Sequence, residues 1–456
     1  MRMRDEMSIA VLAPRIAARE LSAERLTGET LERIARVNPQ VNAFIAVLAD
    51  RALADARRLD ADIARGRYAG PLHGIPVSVK DLVDVGGVAT TAASRVRRAH
   101  VAQRDATVVE RLRAAGAIVV GKTNLHEFAY GTTSEDSAYG PVRNPRDTSR
   151  SAGGSSGGSA AAIAAGLCAG SVGTDTGGSI RIPAAACGTV GLKPTFGEIP
   201  CRGVVPLSRS LDHVGPMAGD VASTWVLYQA MSGVPVALPA SGRANTQPDA
   251  KHMRVAIPRR YFLDLLDADV RARFGDAIER LGRAGAVLSD TDISHAEAIP
   301  TVYLHIQLPE SSAYHAKTLE REPESYTPGV RLRLELGRYV LAEDYVRALR
   351  GREVLQHEVD AALADVDALA LPTLPIPAPA IGQAGVRLDG ADVPVRAVML
   401  RLTQLFDISG HPAISLPCGE TPAGLPVGLQ LVGRRGGTAD LLGVAMACEA
   451  LMAVPH

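Results

Sequence analysis

Two loops with almost no side-chain bulk bracket one short helix, and no other feature limits the fold of this chain as tightly. The first closes a stretch at 131–159 that is rich in Gly, Ser, Thr, Asn and Pro, and it ends on Gly153-Gly154-Ser155-Ser156-Gly157-Gly158-Ser159. The second is Gly173-Thr174-Asp175-Thr176-Gly177-Gly178-Ser179. Between them, residues 160–166 read as a helix of small residues. Loops beyond about 12–15 residues are uncommon in compact domains unless they are functional or disordered. A flexible linker is the plain alternative. A linker, however, does not run straight into a helix and then into a second loop of the same kind, so the pair reads as a built site.

The flanking segments place this site in an α/β fold. Residues 8–65 carry helical periodicity, with Ser22 at a helix start. Residues 70–74 break it, and Ile75-Pro76-Val77-Ser78-Val79-Lys80 reads as a strand. Residues 107–115 read as a helix stopped by Gly116, followed by a short apolar strand at 117–121. Continuously apolar strands after helices point to a sheet covered on both faces. Residues 220–365 read as mostly helical, with a strand-like break at 254–258. Strands are expected at 368–372, 414–417 and 428–432, and a last amphipathic helix at 439–452. No repeat or boundary divides the chain. We expect one domain over 1–456: a helical segment at 1–65, a core at 66–220, a helical insertion at 221–365 and the rest of the core at 366–456.

Composition excludes several classes. Lys plus Arg and Asp plus Glu both total 49, so no charge excess favours nucleic acid or an anionic membrane. The local basic group Arg95, Arg97 and Arg98 reads as a solvated face. The five cysteines are widely spaced and include no CxxC, which argues against a disulfide framework or a zinc site and for small buried residues. Residues 1–6 are charged with no apolar stretch behind them, and no run of about 18 apolar residues occurs, so a cytoplasmic protein is expected. No cofactor or metal is expected.

The residue types at the two loops suit acyl transfer. Paired glycines before Ser179 let successive N–H groups converge on a developing oxyanion, with the hydroxyl beside them. A plain turn remains open as an alternative. The Gly153–Gly158 loop equally suits an anion site at a helix N-terminus, a flexible turn or a G-x-S-x-G nucleophile elbow at Ser155. An elbow needs a strand just before it, and residues 144–149 make a poor one. Lys80 ends an apolar run. A lysine can act as a base near neutral pH only when burial strips its proton.

Taken together, these segments resemble the amidase signature family along nearly the whole chain. The resemblance rests on Gly74–Asp81, Gly153–Gly158, Asp175–Arg181, Gly191-Leu192-Lys193-Pro194-Thr195, Ser210–Pro216, Pro372-Thr373 and Gly424–Gln430. The spacings fit too: 75 residues from Lys80 to Ser155 and 24 from Ser155 to Ser179. The resemblance implies a large mixed sheet with helices on both faces and an amidase acting on linear amides. It implies Ser179 as nucleophile, Ser155 as a proton-passing serine behind a cis Gly154–Ser155 peptide, and Lys80 as base. The N–H groups of Thr176, Gly177, Gly178 and Ser179 would form the oxyanion hole. Ser156, Asp175 and Arg181 would brace it, and His213 and His411 would be structural or line the pocket.

The segments Glu127–Gly131 and Tyr139–Pro145 are similar to members acting on small urea-like amides, the carboxybiuret and allophanate type. Tyr130, Thr132, Ser134, Arg202, Ile306 and Tyr314 are the expected pocket residues. A small-molecule amide is the expected partner, with a homodimer allowed. The alternatives are the glutaminase component of a tRNA-dependent amidotransferase, or an esterase. Two positions depart from the pattern: Asp407 stands where Asn is expected, and Gly436–Asp440 lacks an aromatic–acidic pair.

Overall fold

A computed structural model describes residues 6–239 and 251–453. In chain order its first elements are α1 (Ile9–Ala17), α2 (Ala23–Val41), β1 (Phe44–Val47), α3 (Ala49–Ala64), β2 (Pro76–Lys80), α4 (Thr107–Ala114) and β3 (Ile118–Thr123). The site region follows, with β4 (Arg143–Asn144), β5 (Asp147–Ser151), α5 (Gly157–Ala164), β6 (Gly170–Asp175), α6 (Arg181–Cys187), β7 (Val190–Lys193) and β8 (His213–Ala218). Next come α7 (Val221–Ser232), β9 (Arg254–Pro258), α8 (Ala268–Arg283), β10 (Val287–Thr291), α9 (Ile299–Arg321), α10 (Pro328–Leu336) and α11 (Ala342–Ala362). The chain closes with β11 (Ala368–Pro372), β12 (Gly385–Leu388), β13 (Ala391–Pro394), α12 (Val395–Leu400), α13 (Gln404–Ile408), β14 (Ala413–Glu420), β15 (Pro426–Val432) and α14 (Thr438–Met452).

Eleven of these strands form one mixed sheet in the order β1-β3-β2-β6-β8-β7-β14-β15-β11-β9-β10. Strand β3 shows why its strands read as unbroken apolar runs. Val119 joins an apolar cluster with α1, α4 and α7 on one face, through residues such as Leu12, Val108 and Leu227. Its neighbours Ile118 and Val120 join a second cluster on the other face with Leu59, Ile163 and Ala184 of α3, α5 and α6. With both faces covered, period-two alternation of polarity disappears. The far half of the sheet, β9, β11, β14 and β15, packs with α8, α9, α11 and α14 in a third cluster.

The structure changes the expected layout in three places. The 221–365 segment is not a purely helical insertion, because β9 and β10 pair in parallel and extend the main sheet at its edge. Strands β1, β6, β7 and β8 of the main sheet are additions: β1 hides inside a helical stretch, β6 takes in residues 173–175 of the second glycine loop, β7 has no counterpart among the expected strands, and β8 carries Gly215 and Pro216, poor strand formers on propensity. Residues 143–151 do form strands, but as a hairpin outside the main sheet, so no sheet strand feeds Ser155 in the manner of an elbow. Of the cysteines, Cys201 is exposed on a loop rather than buried. No helix among the described residues is long and apolar enough to cross a membrane.

Candidate active site

The sheet brings the two loops together by register. Strands β2 and β6 are parallel neighbours, Val79 beside Val172, so Lys80 and the end of β6 emerge at the same edge. Helix α5 starts over that edge. It gets close because Gly158 has no side chain: a Cβ there would lie 2.3 Å from the Asn124 carbonyl oxygen and 2.5 Å from that of Ala43. Gly154 plays the same part against the 132–134 backbone, where a Cβ would lie 2.8 Å from the N atoms of Thr133 and Ser134. The Gly154–Ser155 peptide is cis.

Lys80 is fully buried. Its Nζ lies 2.8 Å from each of three hydroxyls, those of Ser155, Ser156 and Thr174. No carboxylate touches it. Burial therefore dominates and lowers its pKa to about 7, with Asp175 and Asp212 pulling the other way from a distance. An uncharged amine donates two hydrogens and accepts one. Ser156 gives its own proton to the Thr174 carbonyl at 3.2 Å, so it can only receive from Lys80. The hydroxyl of Ser155 has no such commitment and is free to give Lys80 its proton.

The Ser179 loop is held from below. The Ser156 N–H donates to the Ser179 carbonyl at 3.1 Å, which ties the two loops together. The Asp175 carboxylate accepts from the N–H groups of Gly178, Ile180 and Arg181 and from the Arg181 guanidinium at 2.9 and 3.1 Å. Burial alone would raise the Asp175 pKa, but Arg181 holds it well below the usual carboxylate range. Arg181 is itself fully buried and reaches the Thr403 carbonyl, Gln430 and Asp407.

One expected donor is thereby reassigned. The Gly178 N–H is turned down into Asp175, while among the described residues nothing takes the N–H of Thr176, Gly177 or Ser179. Three of the four expected N–H groups, not all four, are thus without an acceptor among the described residues. Ser179 itself is 7% exposed. Of the two histidines, His213 sits between Lys193 and the Leu211 carbonyl and lines a small cavity with Thr174 and Thr176, and His411 bonds Asp360 and Ser409.

The expected pocket residues divide. Tyr130, Thr132 and Ile306 are buried, and Thr132 lies against Gly154. Ser134 is loop support: its hydroxyl donates to the Ser155 carbonyl and accepts from the Gly157 N–H. Arg202 is turned to the surface, where Glu110 and Thr107 hold it. Tyr314 lines a separate cavity of about 850 Å³ with Phe128, Leu207 and Arg209. Sequence reasoning missed Tyr303. It packs over the Ser179 loop, so that a Cβ on Gly177 would meet its hydroxyl at 2.6 Å. It lies on a helix far along the chain, and no local motif marks it.

A mixed sheet carrying serine-rich loops over a buried lysine has close counterparts among proteins that hydrolyse carbon–nitrogen bonds, and this chain is a hydrolase of that class. The Amidase family model matches residues 25–442, and the chain belongs to the amidase family. An amidase of Pseudomonas putida is 42% identical over 431 residues, covering 92% of this chain and 90% of that protein. The A component of the glutamyl-tRNA(Gln) amidotransferase of Koribacter versatilis (strain Ellin345) is 38% identical over 485 residues, covering 98% of this chain and all of that protein. Among solved structures, an amidase superposes with a TM-score of 0.91 at 36% identity, over 97% of this chain and 99% of its own. The native peptide amidase of Stenotrophomonas maltophilia gives 0.79 at 30% identity, over 97% and 96%.

Proposed function

We propose that the chain hydrolyses a linear amide through an acyl-enzyme on Ser179, with Ser155 and Lys80 completing a Ser–Ser–Lys triad. One observation supports this most: a fully buried lysine, free of carboxylate contacts, surrounded by three hydroxyls. Ser179 Oγ attacks the amide carbon, its proton passes through Ser155 to neutral Lys80, and the carbonyl oxygen becomes an oxyanion under the free N–H groups of Thr176, Gly177 and Ser179. Collapse of this intermediate breaks the C–N bond, and the proton returns through Ser155 to the leaving nitrogen. Water then repeats the path to release the acid and free Ser179. Ser156, Asp175 and Arg181 position the loops.

The same reading takes residues 1–456 as one catalytic unit. It also puts the protein in the cytoplasm, where five unpaired thiols persist. Alignment over the full length of an amidotransferase component supports a second reading, a glutaminase working beside a partner protein. An esterase of the same fold would share the acyl-enzyme.

Intact-protein mass spectrometry after a fluorophosphonate tests the nucleophile. A single adduct on wild type that is absent from Ser179→Ala supports it. An adduct that survives in Ser179→Ala and maps to Ser155 rules it out.

A further inference from the structure

The proton of the Thr174 hydroxyl has no acceptor among the described residues. Lys80 donates to Thr174 Oγ1 at 2.8 Å, and it does so in both of its charge states. As an ammonium it donates to all three hydroxyls around it. As an amine it accepts from Ser155 and spends its two hydrogens on Ser156 and Thr174. Thr174 therefore only receives from Lys80, and its own O–H is left to point elsewhere.

Beside Thr174 lies a small cavity of about 10 Å³, also lined by Thr176, Asp212 and His213. Sheet register accounts for it. Thr174 of β6 pairs with Val214 of β8, and Asp212 lies two residues before Val214, on the same face. Such diagonal neighbours stand about 7–8 Å apart, too far for short side chains to meet and right for one water between them. A space of about 10 Å³ is the least that holds a water, which then needs two to four polar partners. Thr174 supplies a donor. Asp212 supplies an acceptor: Thr176 and the Ser208 N–H occupy its Oδ1 at 2.7 and 3.1 Å, and the Leu207 N–H occupies one side of Oδ2 at 3.0 Å. One of the four carboxylate lone pairs is left. His213 does not compete for it, because the Leu211 carbonyl and Lys193 hold its Nδ1 and Nε2.

Asp212 also faces outward. It lines a second cavity of about 270 Å³ with Cys201, Arg202 and Arg209, all three exposed. Burial raises its pKa to about 6, against its three hydrogen bonds. That of Lys80 is about 7, so a proton can pass between the two in either direction.

Resting on the amidase reading above, we propose that the small cavity binds one water that joins Thr174 to Asp212, making a proton exit for Lys80 separate from Ser155. The Lys80 ammonium gives a proton to Thr174 Oγ1, which passes its own to the water. The water passes one of its protons to Asp212 Oδ2, and the neutral acid releases it to solvent through the second cavity. Lys80 ends as an amine and Asp212 as a carboxylate. In amide cleavage the leaving nitrogen carries the proton away through Ser155. The exit is needed when the leaving group takes no proton, as with the weakly basic p-nitrophenolate of an ester.

p-Nitrophenyl acetate separates the two routes. Its acyl transfer to Ser179 leaves Lys80 protonated, and water attack on the acetyl-enzyme waits until the lysine loses that proton. The burst of p-nitrophenolate reads acylation, and the steady phase reads deacylation. In Asp212→Asn the side chain still accepts from Thr176 and Ser208 but takes no proton. This variant should slow the steady phase by about tenfold or more while slowing the burst less. Thr174→Val removes the relaying hydroxyl and should act in the same way, so it serves if Asp212→Asn fails to fold. A role confined to holding the loop through Thr176 would slow both phases alike. A high-resolution crystal structure of the wild type should show one water within hydrogen-bond distance of Thr174 Oγ1 and the Asp212 carboxylate. No water there, both phases slowed alike, a steady phase unchanged in the folded variants, or no ester cleavage would overturn the exit. Fluorophosphonate labelling keeps the two readings apart. If Ser179 labels normally and the steady phase does not respond, only the exit falls. If the water is present and the steady phase responds but Ser179 does not label, only the nucleophile assignment falls.

Discussion

At the scale of single residues, the proposed mechanism turns on the charge state of Lys80. Only its neutral form can take the Ser155 proton, and burial sets the changeover at about pH 7. The rate of fluorophosphonate labelling should therefore rise about tenfold per pH unit below 7 and level off above it, as for a single titrating base. Lys80→Met should be slower by at least about 10²-fold and flat over the same range. A wild-type profile that is flat from pH 5 to 8 would remove Lys80 as the base. Asp407 illustrates the residue scale differently. Burial, and then the neighbouring Asp175, push its pKa well above the usual carboxylate range, while Arg181 donates to it at 2.6 Å. Asp has nearly the shape of Asn, which accounts for its tolerance at a position where the family resemblance leads one to expect Asn. The positions of Lys80, Ser155 and Ser179 are legible because small residues and spacing mark them. The role of Gly178 is not, because sequence does not tell which way an N–H points once a carboxylate such as Asp175 competes for it.

At the scale of elements, glycine sets how closely helices approach the sheet. Replacing a helical glycine by alanine ordinarily stabilises a helix by about 0.5–1 kcal/mol. At Gly158 the sign should reverse, because the new methyl would meet two backbone oxygens that cannot move aside. We expect Gly158→Ala to destabilise the protein by about 1–3 kcal/mol, as for overpacking elsewhere, seen as a lower calorimetric melting temperature. An unchanged or higher melting temperature would mean that α5 can lift off the Asn124 backbone freely. Elements with unbroken apolar runs, such as β3 and β11, are readable from sequence. Strands β8 and β10 are not, since β8 is built from weak strand formers and β10 lies at the sheet edge with mostly exposed side chains. Their pairing partners, not their own propensities, make them strands.

At the scale of the whole molecule, Lys80, Ser155 and Ser179 all come from one chain. The purified protein alone should therefore turn over an amide at an ordinary enzymatic rate, about 1 s⁻¹ or faster, followed by ammonia release. Activity that stays absent until a partner protein is added would favour the amidotransferase reading. The general α/β plan can be read from the order of segments. The mixing of directions in the sheet cannot, because it depends on which distant strands meet: β14 inserts beside β7, and β15 beside β11.

That insertion has a consequence for the order in which the molecule is made. Arg181 is anchored by Thr403, Asp407 and Gln430, residues more than 220 positions further along. A ribosome that has released the Ser179 loop still has over half of the chain to synthesise. Until β15 emerges, a cation meant for the interior has no complete set of partners, and contacts this distant in sequence form slowly. Under the proposed mechanism, the Ser179 loop therefore lacks its full set of supports until β15 has been made.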